Sequence, residues 1–180
     1  MELKNGFQKI ILFVILTIIL ATVDFASKQM AVFIMEPGDY VPIFENTFGF
    51  YLAYNTGAIF SFNPSKYIPF ITNAHFFLIF TVLALGFLIY YVIKLDYEKQ
   101  NLLFLGITFI CAGAIGNGID RIIRPESAVV DFFMVNLGFH LGPIPFDPWP
   151  IFNIADIFVN TGLGLFILDW ILNGKKSDIH

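Results

Sequence analysis

The chain has a single cysteine, Cys111, inside the apolar run LLFLGITFICAGAIG. One cysteine cannot close an internal disulfide. A thiol set in hydrocarbon is also a poor nucleophile, so Cys111 reads as a packing residue. Charge is scarce too. Asp, Glu, Lys and Arg make up 13% of the 180 residues, against about 25% in a soluble globular chain. The net charge of -4 comes without a basic stripe, which argues against nucleic acid as a partner. The acidic residues are scattered and form no tail. The three histidines, His75, His140 and His180, stand far apart. With no Cys/His cluster and no H-E-x-x-H, nothing points to a zinc site. No Ser or Thr has a well-placed His, so a hydroxyl nucleophile is not indicated. Neither an internal repeat nor a flexible linker is visible.

What fills the chain instead is apolar. Hydrophobic residues make up 57% of it, and Phe alone occurs 23 times. Four runs, about 8–25, 68–93, 101–119 and 153–173, approach the ~20 residues needed to cross a bilayer. The first follows Lys4 and Lys9, but it is too long for the apolar core of a signal peptide and no clean cleavage site follows. The fold class expected is an all-α membrane protein of one domain, 1–180, with four transmembrane helices. Lys4 and Lys9, Lys94 and Lys99, and Lys175 and Lys176 fall in alternate connecting regions. The positive-inside rule then puts both termini in the cytoplasm and segments 26–67 and 120–152 outside. Lys28, Lys66, Arg121 and Arg124 oppose this bias. Within about 38–64, the aromatic and β-branched stretch VPIFENTFGFYLAYNTGAIFSF, broken by turn signals, predicts a small extracytoplasmic β-rich piece. Segment 120–152 reads as an outer loop, ending in the rigid connector GPIPFDPWP.

Polar residues at the membrane boundary are costly and therefore informative. Asp24 and Lys28 are four apart at the outer end of span one. Asn117, Asp120 and Arg121 close span three, Asp131 interrupts the apolar stretch VVDFF, and Asn153 and Asp156 open span four. With Asn55 of the outer piece, they converge on one level. Asp169 lies thirteen residues past Asp156, about 20 Å along a helix, and is excluded from that level. Two aspartates with apolar flanks can share one proton and hydrolyse a peptide bond without metal or covalent intermediate. Taken alone, both fit a structural role equally. Asp24 with Lys28 reads as a helix-end ion pair, Asp120 with Arg121 as an interfacial cap, Asn55-Thr56-Gly57 as a turn and Asn153 as a helix cap.

In sequence order, the motifs DFASK (Asp24, Lys28), NTGAIFS (Asn55, Gly57, Phe60, Ser61), GNGIDR (Gly116, Asn117, Asp120, Arg121), VVDF (Asp131) and FNIAD (Asn153, Ala155, Asp156) resemble the lipoprotein signal peptidases, or signal peptidases II. The resemblance spans nearly the whole chain. It implies a hydrolase, an aspartyl protease of the bacterial inner membrane that works without cofactor or metal. Its substrates would be prolipoproteins, cut before a diacylglyceryl-modified cysteine, with membrane lipids as surroundings and a monomer as the unit. Asp131 and Asp156 would be catalytic. Asn55, Asn117, Arg121 and Asn153 would hold substrate or orient the dyad, with Gly57 in the same motif and Asp24, Lys28 and Asp120 in support. Ile59 replaces the usual Ala, and the 25 positions between the two aspartates exceed the expected spacing through NLGFHLGPIPFDPWP. The rival reading is a non-enzymatic four-span scaffold or small transporter. A transporter would set its polar residues near mid-membrane at a repeat interface, whereas these cluster at one face.

Overall fold

In the computed structural model, residues 2–45, 47–57, 72–96, 100–136, 138, 140–141, 144–145 and 149–173 are described. Phe60 and Ser61 of the second motif, together with Ile59, lie outside that set, as do Lys66, Lys99, Lys175 and Lys176. Four helices carry the fold: α1 (Glu2–Ile34), α2 (Asn73–Lys94), α3 (Asn101–Ile123) and α4 (Ile154–Asn173). Each contains a stretch long and apolar enough to span a bilayer. A three-stranded antiparallel sheet joins β1 (Tyr40–Phe44), β2 (Phe48–Asn55) and β3 (Val129–Val135) in that order. A short antiparallel pair, β4 (His140–Leu141) with β5 (Ile144–Pro145), stands apart, and β5 falls within the connector that reads as irregular from sequence.

Helix α1 runs past its expected end at 25 to Ile34, and α3 past 119 to Ile123. Charged residues do not stop either helix. The chain stops α1 at Pro37–Gly38, where Gly38 takes φ +93° and donates to Leu52 O at 2.9 Å. It stops α3 before Pro125, because proline disfavours helical backbone in the residue ahead of it. At 33 residues, α1 is about 50 Å long, well beyond the ~30 Å hydrocarbon core. Asp24 and Lys28 therefore sit one turn apart inside a helix rather than at its end.

Helix α3 is the hub, and its closest partner is α4. Small residues let the two backbones approach, as is usual between membrane helices. A Cβ on Gly162 would lie 2.6 Å from Gly106 O, and one on Gly113 would strike Ala155 O and the Val159 side chain. One on Gly116 would run into the Asp24 carboxylate. Phe13, Val92, Leu95, Leu103, Phe104, Ile107 and Cys111 form a core among α1, α2 and α3. Lys9, only 8% exposed, closes the far end of that core. It donates to Leu95 O at 2.7 Å and Ile93 O at 3.2 Å, carbonyls that the end of α2 leaves without helical partners.

Strand β3 lies in the segment expected to be a loop. Its residues Val129, Val130, Asp131 and Phe132 are all buried. A strand covered on both faces is continuously apolar and shows no alternation, so VVDFF hides its strand character. The sheet seats on the end of α1 through Leu52, Val130 and Phe132 packed on Ala31 and Met35. Phe133 bridges to Phe152, with Phe133 N–H donating to Phe152 O at 2.8 Å and Phe152 N–H to Phe133 O at 3.1 Å. That bridge delivers the start of α4 to the side of β3.

Candidate active site

Asp131 stands opposite Ala53 in the β2–β3 ladder, and Asn55 stands opposite Val129. Residues two apart on a strand share a face, so Asn55 is a diagonal neighbour of Asp131. Its Nδ2 donates to Asp131 Oδ2 at 2.9 Å. Asp156 occupies the first turn of α4. Asn153 Oδ1 accepts from Asp156 N–H at 3.0 Å, and Asp156 Oδ2 accepts from Asn153 N–H at 3.1 Å. This reciprocal pair is a capping box with Asp in the acidic place. Asn153 Nδ2 also donates to Asp131 Oδ1 at 2.7 Å. One residue thus reaches both carboxyl groups, which fixes their separation more firmly than either element could alone.

The amide orientations follow from donors that cannot reverse. Lys28 Nζ can only donate, and it lies 2.8 Å from Asn117 Oδ1. Asn117 must then turn Nδ2 to Asp156 Oδ1, at 3.0 Å. Asn153 Nδ2 lies 3.1 Å from Asn117 Oδ1 and 3.2 Å from Val130 O. Asn55 Oδ1 is held by Gly57 N–H at 3.0 Å, so its Nδ2 faces Asp131. Asp131 and Asp156 each accept two such hydrogen bonds.

Behind this layer is a second one with no solvent access. Lys28 Nζ lies 2.8 Å from Asp24 Oδ2 and 3.3 Å from Asp120 Oδ2, and all three side chains are 0% exposed. Asp24 Oδ1 accepts from Ala155 N–H at 2.8 Å. Asp120 Oδ2 accepts from Val130 N–H at 3.0 Å. The ion pair read from sequence as a helix-end feature is therefore fully buried. The two carboxylates of this layer grip the backbone next to each catalytic candidate: Ala155 precedes Asp156, and Val130 precedes Asp131.

One of the sequence readings needs correction. Asp120 takes Arg124, not Arg121, as its arginine partner, with Nε donating to Oδ1 at 2.8 Å. The i, i+4 spacing of Asp120 and Arg124 is the signal that could have found it. Arg121 bonds to neither carboxylate of the dyad. Its Nη2 donates to Gly57 O at 2.8 Å and its Nη1 to Ser127 O at 3.1 Å, with the guanidinium 4.3 Å from the Phe77 ring centroid. Glu126 and Ser127 both take left-handed φ, 55° and 53°, a costly backbone for residues with a Cβ. Arg121 ties that turn to the Gly57 loop. Asp169, excluded from the site level, accepts instead from Asn173 Nδ2 at 2.9 Å. Among the described residues, no group of three or more His, Cys, Asp or Glu side chains is disposed to hold a metal ion.

Asp131 is 3% exposed. Burial, and after it the nearby charge of Asp156, pushes its carboxyl up from 3.8 to about 7. The hydrogen bonds from Asn55 and Asn153 and the charge of Lys28 pull the other way without cancelling it. A protonated acid beside a second carboxyl group is the arrangement that acid–base hydrolysis needs.

These features define a class: a multi-pass membrane protein with two aspartates set in one hydrogen-bonded frame. The model of the family described as signal peptidase (SPase) II matches residues 16–172, and the chain belongs to that family, the aspartic-type signal peptidases. A lipoprotein signal peptidase of Shouchella clausii (strain KSM-K16) is 33% identical over 163 residues, covering 91% of this chain and 95% of that protein. Two solved bacterial membrane enzymes, both determined by the in meso method, share the fold. One superposes with a TM-score of 0.73 at 27% identity, covering 93% of this chain and 91% of its own. The other gives 0.71 at 25% identity, covering 89% and 93%.

Proposed function

We propose that the protein removes signal peptides from prolipoproteins, cutting before the lipid-modified cysteine, with Asp131 and Asp156 as the catalytic pair. Asn153 carries the reading, because it donates to both carboxyl groups at once. Asp131, whose carboxyl burial raises to about 7, supplies the proton, and Asp156 acts as the base. Asp156 takes a proton from water as the water oxygen attacks the scissile carbonyl carbon, and Asp131 gives its proton to the carbonyl oxygen. In the second half, Asp156 returns its proton to the leaving nitrogen and the C–N bond breaks. Asp131 regains a proton from the diol, which restores the starting state. Asn55 and Asn117 hold the acids in register.

The test is cleavage of a diacylglyceryl-modified prolipoprotein by the purified protein in lipid, followed over pH. Because Asp131 must be protonated and its carboxyl is raised to about 7, the rate should fall as pH rises through about 7. No cleavage, or a flat profile from pH 5 to 9, would count against the mechanism.

The same reading places the site at the outer face of a bacterial cell membrane with both termini inside. The alternating lysines support this orientation. In a Cys111→Ser background, a cysteine at Thr47 should react with an impermeant reagent applied outside, and one at Asp96 should not. The reverse pattern would invert the topology. A scaffold or transporter role has no specific observation in its favour.

A further inference from the structure

Asn160 is an amide in the middle of an apolar helix, and it is exposed. Helix α4 around it presents Ile157, Leu163 and Ile167 on its open side. A polar side chain turned outward from a membrane span is costly unless something meets it. Asn160 lies four residues past Asp156, so the two share a helix face. Its Nδ2 donates to Asp156 O at 2.8 Å. That bond fixes the amide and points Oδ1, the acceptor, away from the helix. Among the described residues, Oδ1 has no partner. The site described above does not use Asn160, and none of the five motifs includes it.

A substrate held at Asp131 and Asp156 supplies a donor there. To be cut, the substrate must be extended at the scissile bond. Upstream, a signal peptide crosses the bilayer as a helix. Where it unwinds, its backbone N–H groups lose their helical partners while still in an apolar setting, which is costly for each one left unpaired. Helix α4 runs away from the dyad and into the span, as does the substrate read backwards from its cut. Four residues of helix advance about 6 Å and an extended chain about 3.3 Å per residue. Asn160 is thus level with the substrate about two residues before the scissile bond.

We propose that Asn160 Oδ1 accepts a hydrogen bond from the substrate backbone two residues before the cleaved bond, where the signal peptide leaves its helix. Asn160 is then a substrate-binding residue that reads backbone rather than side chain, and so it tolerates varied signal sequences. This inference rests on the proposed peptidase activity and deepens it.

A double-mutant cycle tests it. One substrate is a lipidated prolipoprotein peptide, and the other replaces that single amide with an ester, which has no N–H. For the native protein the ester should lower kcat/KM on the order of tenfold, the equivalent of one hydrogen bond. Asn160→Leu should lower kcat/KM for the amide substrate by a similar factor and show almost no further loss with the ester. The effect should lie in KM more than kcat. Asn160→Asp, which keeps the acceptor, should retain the ester discrimination. Equal ester penalties in the native protein and Asn160→Leu overturn the proposal, since a merely structural Asn160 would leave that ratio unmoved. If the native protein cleaves neither peptide, the failure belongs to the peptidase reading itself.

Discussion

Asp131→Asn and Asp156→Asn should each reduce kcat by about 10²-fold or more. An amide can neither take a proton from water nor return one to the leaving nitrogen. The surroundings amplify the effect at Asp131. Its two oxygens accept from Asn55 Nδ2 and Asn153 Nδ2, and an amide nitrogen placed on either would meet a donor. Asn55 and Asn153 are in turn locked by Gly57 N–H and Asp156 N–H, so neither can flip without breaking another bond. Asp131→Asn should therefore also lose some stability, on the order of 1 kcal/mol for one frustrated hydrogen bond. Asp156 is held the same way, Oδ1 by Asn117 Nδ2 and Oδ2 by Asn153 N–H, so Asp156→Asn should lose a similar amount. Substrate affinity should survive in both variants. Asp169→Asn serves as the control and should cleave normally. The measurement is single-turnover cleavage of a prolipoprotein in lipid, alongside thermal unfolding of each variant. Cleavage at the native rate by either dyad variant would remove both residues from the mechanism.

Lys28→Met should be the most damaging substitution outside the dyad. Lys28 faces two fully buried carboxylates, Asp24 and Asp120. Arg124 still reaches Asp120 when the lysine is gone, but Asp24 keeps only the Ala155 N–H. An uncompensated buried charge of this kind costs roughly 3–5 kcal/mol. The same change frees Asn117, whose oxygen Lys28 holds and whose nitrogen positions Asp156. Stability and turnover should therefore fall together. The double variant Lys28→Met with Asp24→Asn separates the two effects. Removing the orphaned charge should restore much of the melting temperature, while turnover stays at least tenfold low because Asn117 remains unanchored. Full recovery of activity in the double variant would show that the pair only stabilises the fold. Native stability in Lys28→Met alone would contradict the buried network.

Apolar run length was enough to establish the membrane class and the four helices from the sequence. The polar residues of the five motifs, set in a greasy chain, were enough to mark the residues worth watching. Their joint level could be read because helix rise converts residue number into depth. Sequence could not show where α1 and α3 end, because a charge marks the end of a span only where it faces water. Asp24, Lys28, Asp120 and Arg124 neutralise one another, so the helices pass straight through them. Nor could it show that β3 is a strand, since burial on both faces erases the alternation that identifies one. The contacts of Arg121 were hidden for a related reason. Asp120 and Arg121 read together as an interfacial cap, but successive residues on a helix point about 100° apart, and the guanidinium reaches Gly57, which is 64 positions away. The meeting of Asp131 with Asp156 was decided by tertiary structure alone. It depends on Phe133 pairing with Phe152, on a glycine seam that lets α4 close on α3, and on Asn153 reaching both acids. These are long-range contacts whose geometry exists only once the helices and the sheet have packed.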